Sequence, residues 1–402
     1  MSDLLKQHVI DPEICIRCYT CEMTCPIEAI EHDDNNVVVD ASKCNHCMDC
    51  VPVCPTGSID NWRVVSEPYT LSEQYSWEEL PEQVAGQIAE QVEGAAAEDT
   101  SGDAQDPVAA LLAEAHSGVE GRAKAPASAS TPTTALYKPA SPVEAIVQGN
   151  YKLTSDDSDS DVRHIILDFQ GKPFPVIEGQ SVGVTVPGQD STGKQHLPRL
   201  YSVSSPRDGE RPGYHNISLT VKREADGLCS NYLCDLVKGD KVPVTGPFGS
   251  TFLMPTDPDA RLLMICTGTG SAPMRAFTMA RERTVGAKEG GMVMFFGART
   301  PESLPYFGPL KKVPSTLLQQ HLVFSRLKDQ QKEYVQDAMR RQSALVAELL
   351  KDKHTHIYVC GLKDMEEGVE RAFDSIAQSV GLEWQTVRGE LLGDGRYHVE
   401  TY

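Results

Sequence analysis

Arg261-Leu262-Leu263-Met264-Ile265-Cys266-Thr267-Gly268-Thr269-Gly270-Ser271-Ala272-Pro273-Met274-Arg275 is the stretch on which the fold turns. An apolar run of strand length ends in Gly-x-Gly and then opens a helical stretch. Glycines at such a turn let backbone approach a phosphate, so the placement says more than the glycines alone. Further apolar runs follow, GGMVMFFGAR at 290–299 and THIYVCG at 355–361, with helical stretches between them. This alternation predicts an α/β domain over 256–402, a parallel sheet covered on both faces.

Upstream, over 142–255, the pattern changes to short alternating segments broken by Gly and Pro: RHIILDF, SVGVTV, LYSVSS, HNISLTVKR and DKVPVTG. Spacing of this kind predicts an antiparallel β-barrel. Residues 67–141 are rich in Ala, Glu, Ser, Thr and Pro, as in EQVEGAAAEDTSGDAQDP and APASASTPTTA. Such a composition buries little apolar surface, and the expectation is an acidic, mostly disordered linker. With the cysteine-dense segment 1–66, the chain reads as multidomain, in keeping with its 402 residues.

A formal net charge of -20 argues against nucleic acid and anionic membranes as partners. No basic stretch followed by an apolar one stands at the start, and no apolar run approaches the ~18 residues a membrane span needs. The expectation is a cytoplasmic protein, where disulfides are rare and clustered cysteines need another use. Cys15, Cys18, Cys21 and Cys25 precede Pro26 with spacings of two, two and three residues, and Cys44, Cys47, Cys50 and Cys54 repeat the pattern before Pro55. Three thiolates on one tight loop reach three corners of a cubane, while the fourth, before Pro, points to the other cluster. One [4Fe–4S] cluster is therefore expected on Cys15, Cys18, Cys21 and Cys54, and a second on Cys44, Cys47, Cys50 and Cys25. Structural zinc also uses Cys-x2-Cys pairs, but has no use for the third Cys or the repeated Cys-Pro. Residues 1–60 resemble the bacterial two-cluster ferredoxins, which implies an α+β domain.

Arg199-Leu200-Tyr201-Ser202 and Gly227-Leu228-Cys229-Ser230, each unremarkable alone, stand in this order before the nucleotide-binding pattern. Together with the Gly-Thr-Gly-x-Ala-Pro loop they resemble the ferredoxin–NADP reductase superfamily over about 142–402. The resemblance implies FAD on the barrel, with Arg199 on the pyrophosphate, Tyr201 against the flavin and Ser202 near its reactive N5. The turn at Gly227, Leu228, Cys229 and Ser230 would offer backbone N–H groups to the pyrophosphate at a helix N-terminus. Val221 and Lys222 fall where the family's strand lies along the cofactor, although Lys222 also reads as a solvated strand lysine. Gly268, Thr269 and Gly270 would hold the pyridine nucleotide. Ser325, Arg326, Lys332 and Tyr334, with Arg299, match positions that grip the 2′-phosphate in NADPH-selective members, a dianion suited to Arg and Lys donors.

The C-terminal Cys360-Gly361-Leu362-Lys363-Asp364-Met365 resembles the family's Cys-Gly-x-x-x-Met element, whose Cys lies by the nicotinamide. Tyr402 corresponds to a terminal aromatic that shields the flavin, with Glu400 near the hydride-transfer locus. Ser202, Cys360, Glu400 and Tyr402 are thus the candidate catalytic residues. The implied circuit runs from NADPH through FAD to the two clusters and out to a protein acceptor. Domain order and the ending HVETY resemble NADPH-dependent reductases of the benzoyl-CoA oxygenase (2,3-epoxidase) type, which implies a di-iron oxygenase component as partner in aerobic benzoate breakdown. A general ferredoxin–NADP oxidoreductase, or an electron-input module for another enzyme, is the alternative. A non-enzymatic cluster scaffold would leave the flavin and nucleotide motifs without a purpose.

Overall fold

The computed structural model describes residues 5–13, 15, 17, 19–47, 50, 54, 58–59, 61–65, 67–81, 111, 123–189, 193–284, 291–328 and 331–402. Cys18 and most of the expected linker lie outside them. The chain divides into two compact units, one built on the N-terminal cysteine-bearing segment and one on most of the remainder.

In the N-terminal unit, β1 (Leu5–Val9) pairs antiparallel with β4 (Asn61–Val65), and β2 (Ile30–His32) with β3 (Val37–Val39). A short helix, α1 (Thr20–Thr24), carries Cys21 and ends at Cys25. Ile10, Ile30, Val37, Val39 and Ile59 form a small core with Cys21 and Cys50, against which Cys15, Cys25, Cys44 and Cys54 pack. So small a core supplies little hydrophobic stability. The segment after β4 adds to it. Helix α2 (Leu71–Tyr75) opens on a Thr70–Glu73 capping box. The Gln74 amide is buried and bonds both ways with Val39, while Asn36 Nδ2 donates to Trp77 O at 2.7 Å.

The second unit holds a barrel and a parallel α/β lobe. The barrel strands are β5 (Val143–Lys152), β6 (Val162–Asp168), β7 (Ser181–Val184), β8 (Arg199–Ser202), β9 (Ile217–Lys222) and, after helix α3 (Leu228–Asp235), β10 (Lys241–Phe248). They form a six-stranded sheet in the order β8-β7-β10-β5-β6-β9, with each pair antiparallel. The two edges meet through a Val203–Leu219 bridge and the Ser204 N–H to Ser218 O bond of 2.8 Å, which close the sheet on itself.

The α/β lobe contains β11 (Arg261–Thr267), α4 (Ser271–Thr284), β12 (Met292–Ala298), α5 (Phe307–Leu310), β13 (Leu318–Phe324), α6 (Val335–Arg341), α7 (Ser343–Lys351), β14 (Thr355–Gly361), α8 (Lys363–Ser379), α9 (Trp384–Gly393) and β15 (Tyr397–Thr401). Its five strands are parallel, in the order β13-β12-β11-β14-β15. Strand period two explains the unbroken apolar runs. Leu263 and Ile265 enter one core with residues of α6, α7, α8 and α9, while Leu262, Met264 and Cys266 enter the other with Met274, Phe277 and Ala280 of α4. In α8 the buried residues Met365, Val369, Ala372, Phe373 and Ile376 recur at three- and four-residue steps, the period of a helix with one face in the core.

The fold class matches the sequence reading, and the described ends of the segment expected as a linker are held by contacts. Residues 67–81 belong to the N-terminal unit, and residues 123–141 are fastened along the second. Lys124 Nζ donates to Gly393 O at 3.1 Å, Ala129 bridges Pro255, and Gln180 Nε2 donates to Thr133 O at 2.9 Å. Ala135 N donates to Pro247 O at 2.7 Å, and Tyr137 and Gly246 exchange backbone bonds. Composition misleads here because backbone and amide hydrogen bonds hold these stretches in place of apolar burial.

One anchor is an ion pair. Glu178, only 2% exposed, accepts from Arg207 Nη2 at 2.8 Å and from Arg207 N at 2.8 Å, while Arg207 Nη1 donates to Ser130 Oγ at 3.0 Å. Burial pushes the Glu178 carboxyl upward, but the guanidinium charge and its hydrogen bonds outweigh burial and hold it below the ordinary value of 4.5. Glu178→Gln, which leaves Arg207 without its counter-charge, should cost roughly 3 kcal/mol at pH 7. Because the folded carboxyl titrates below the unfolded one, that stabilisation is present above about pH 4.5 and is lost as pH falls through the folded value. Denaturant melts of both proteins at pH 7 and pH 4 should show the gap narrowing.

Candidate functional site

The strand order reverses between β11 and β14, and ligands of open α/β sheets bind outside the carboxyl ends of strands at such a switch point. Cys266 and Cys360 lie in register there. The turn Gly268–Gly270 follows β11 and runs directly into α4, with no side chain capping it. A Cβ on Gly270 would lie 2.2 Å from Cys360 O, so only glycine fits. Gly268 takes φ +54. Among the described residues, Thr267 Oγ1 is buried with no hydrogen-bond partner, an orphaned donor at the mouth of the turn. Small residues, uncapped amides and an orphaned hydroxyl together fit a dinucleotide phosphate.

Candidate residues from the C-terminus gather at this edge. Glu400 is buried and in register with Cys360. Burial, followed by the Glu400 charge, pushes the Cys360 thiol well above its usual range, so it stays protonated. Tyr402 donates its N–H to Gly361 O at 3.0 Å, and its hydroxyl lies 2.7 Å from Thr269 Oγ1. With 56% of its surface exposed, Tyr402 covers the turn without being locked into a core.

The barrel supplies the other half. Arg199 is exposed at the start of β8, and Tyr201 is half-buried two residues on. Tyr201 hydrogen-bonds to the Cys229 side chain, whose thiol donates to Val184 O at 3.6 Å; burial raises both groups. Gly227 precedes α3 with no side-chain cap, and a Cβ there would meet Ser230 Oγ at 2.4 Å. An exposed guanidinium and an uncapped eight-residue helix suit a pyrophosphate. Cys229 and Ser230 are buried and Leu228 is exposed. Val221 is buried in the barrel, and Lys222 Nζ is paired with Glu224 Oε1 at 2.5 Å, the surface arrangement of the solvated-lysine reading.

At the carboxyl ends of β12 and β13, Ser325 N donates to Ala298 O at 3.1 Å and Arg326 N to Arg299 O at 2.8 Å. Both arginines, Lys332 and Tyr334 are exposed, and Tyr334 stands at the start of α6. The backbone bond thus sets Arg299 and Arg326 side by side.

Cys25 of the first motif lines one cavity with Cys44, Cys47 and Cys50 of the second. Burial, then the proximity of Cys44 and Cys47, pushes the Cys50 thiol up to about 12, and burial also raises Cys44. Cysteines lining one hollow suit an iron–sulfur cluster, which would hold them as thiolates, although no group of three or more among the described residues is placed to hold a single metal ion. Ala29 N donates to Cys25 Sγ at 3.2 Å, and Ser58 Oγ lies 3.3 Å from Cys54 Sγ, so each fourth cysteine is tied to the residue four positions on.

Comparison with known proteins agrees. Residues 7–66 match the 4Fe-4S dicluster domain and residues 264–371 the oxidoreductase NAD-binding domain. The chain is 34% identical over 285 residues to the ferredoxin–NADP reductase of Synechocystis sp., covering 66% of this chain and 69% of that protein. The chain belongs to the ferredoxin–NADP reductase family. The chloroplastic leaf isozyme 1 of this family from Oryza sativa subsp. japonica is 37% identical over 287 residues, covering 67% of this chain and 79% of the relative. The solved ferredoxin–NADP reductase of Plasmodium falciparum shares the fold, with a TM-score of 0.54 and 24% identity over 67% of this chain and 100% of that one. This member of the family is an NAD(P)-dependent oxidoreductase with an added iron–sulfur domain. No helix among the described residues is long and apolar enough to cross a membrane.

Sequence reading missed Thr267, the Glu178–Arg207 pair and the role of Arg275, which donates to Ser204 O at 2.8 Å. Arg275 stands in the opening motif, but nothing local marks its partner. Two outcomes are expected. Gly270→Ala should weaken NADP(H) binding at least about tenfold in titrations while leaving flavin content unchanged, because the added methyl displaces the turn from Cys360. Cys25→Ser and Cys47→Ser, although in different motifs, should lose the same cluster, with iron falling from about eight to about four atoms per chain and identical residual EPR spectra.

Proposed function

We propose that this chain oxidises NADPH and sends the electrons through FAD and two [4Fe–4S] clusters to a separate protein acceptor, the oxygenase component of a benzoyl-CoA 2,3-epoxidase. The observation that carries the circuit is the meeting at one edge of the glycine turn, Cys360, Glu400 and Tyr402, tied by Arg275 to the strand of Arg199, Tyr201 and Ser202. FAD, when bound, takes a hydride as two electrons and releases them one at a time, matching clusters that accept one each.

The chain's own residues bind, orient and shield. Arg199 and the amides of the Gly227 turn hold the flavin pyrophosphate, and Tyr201 supports the ring system. Gly268, Thr269 and Gly270 receive the nucleotide pyrophosphate. Arg326 and Lys332, with Ser325 and Arg299 beside them, select the 2′-phosphate, and Tyr334 offers its ring to the adenine. Tyr402 would shield the flavin face, and its displacement on nucleotide binding would need its bond to Thr269 to break. Cys360, kept as a neutral thiol, and Glu400 would lie by the nicotinamide, and Ser202 would lie near the flavin's reactive nitrogen. Cys15, Cys18, Cys21 and Cys54 hold one cluster, and Cys25, Cys44, Cys47 and Cys50 the other.

The acceptor rests on the resemblance of the whole domain order to benzoyl-CoA-type reductases. A general ferredoxin–NADP oxidoreductase is the second reading, favoured by the names of the curated relatives. The deciding assay follows NADPH oxidation with purified oxygenase component, with and without benzoyl-CoA. Coupled oxygen uptake stimulated by benzoyl-CoA is expected. Turnover with ferredoxin but no such stimulation would leave the second reading. Within the circuit, Arg326→Ala should lower kcat/KM for NADPH by roughly 10- to 100-fold and leave NADH nearly unchanged; equal losses would refute the 2′-phosphate role.

A further inference from the structure

Tyr306 lies in the connection between β12 and β13 with φ +63, a left-handed conformation that a bulky residue adopts only when its surroundings hold it there. The side chain is buried. Its hydroxyl sits 2.9 Å from His164 Nδ1 and 2.6 Å from Thr220 Oγ1, residues paired directly across β6 and β9. A hydroxyl from the nucleotide lobe is therefore set between two strands of the barrel. The guanidinium carbon of Arg275 lies 5.0 Å from the centre of the Tyr306 ring, and Nη1 reaches Ser204 O at 2.8 Å, two residues beyond Ser202. Arg275 itself stands in α4, which begins where the Gly268–Gly270 turn ends.

We infer that Tyr306 and Arg275 are positioning residues that set the separation and angle between nicotinamide and flavin. The inference rests on the proposed hydride path from the parallel sheet to the barrel. The argument is one of stiffness. Apolar packing between lobes tolerates sliding, whereas directional bonds of 2.6 to 2.9 Å do not. One cation and one ring join the nucleotide turn, through α4, to the flavin strand and to the β6–β9 pair at the same time. Hydride transfer is steeply sensitive to placement, and a misplacement of about 1 Å costs on the order of 100-fold in rate.

The test is anaerobic stopped-flow reduction of the bound flavin by NADPH in the full holoprotein, with rates expressed per bound flavin. Tyr306→Phe keeps the ring and removes the two bonds. Its limiting rate should fall at least about tenfold, while the NADPH concentration for half-maximal rate stays within about twofold. Arg275→Met should show the same split, and the double variant should be no slower than the slower single one, as for two parts of a single device. Thr220→Val removes only one partner of the hydroxyl and should give a smaller loss in the same direction, which serves if Tyr306→Phe folds poorly. A limiting rate equal to wild type in Tyr306→Phe and Thr220→Val, whatever their melting temperatures, overturns the inference, as do single-variant losses that multiply. If NADPH fails to bleach the wild-type flavin, the underlying hydride path falls, and that result is distinct from equal rates in wild type and variant.

Discussion

The carbonyl of Cys360 occupies the space that a side chain at position 270 would need. That close approach brings the end of β14 against the turn after β11, at the one place where the sheet reverses its order. Everything proposed for the nucleotide depends on it. The turn is drawn tight against the neighbouring strand. Cys360, Glu400 and Tyr402 lie within reach because β15 continues the register outward from β14. A looser junction would leave the same residues in the same order without bringing them to one edge.

The two lobes of the reductase unit divide the work by the kind of surface each fold offers. A closed antiparallel sheet has few free edges and presents short strand ends, such as Arg199–Ser202, in a fixed orientation. A parallel sheet sandwiched between two helical cores offers its carboxyl edge, where turns differ freely while the strands beneath stay buried. The N-terminal unit follows another logic. Its hydrophobic core is small, and converging cysteines take the place of further apolar side chains.

What the sequence revealed was what lies close together in the chain. The cysteine spacing, the glycine turn and the alternation of apolar runs are local, and each carries its mechanical reason with it. The apolar runs could be read as buried parallel strands because both faces of each strand meet a core. What stayed hidden was long-range and polar. His164 and Tyr306 are 142 positions apart, Glu178 and Arg207 are 29, and no local pattern announces either pair. Lys222 shows the opposite difficulty. Its place in the motif suggested a cofactor contact, yet Glu224, two residues away, already meets its charge. The stretch 123–141 was misjudged because Ser, Thr, Ala and Pro were read for the apolar surface they lack and not for the backbone bonds they make.

That stretch has a practical consequence for anyone who wishes to cut the protein into parts. A stand-alone reductase begun at residue 142, where the composition changes, would discard Thr133 and Ser130, which serve Gln180 and Arg207, and the backbone that covers Pro247 and Gly246. It would also lift Ala125 away from Gly395, whose φ of +66 and lack of a Cβ accommodate it. Among the described residues, the hydrogen bonds of this stretch begin at Lys124. The excision boundary is therefore drawn by backbone bonding and lies well before the point that amino-acid content would choose.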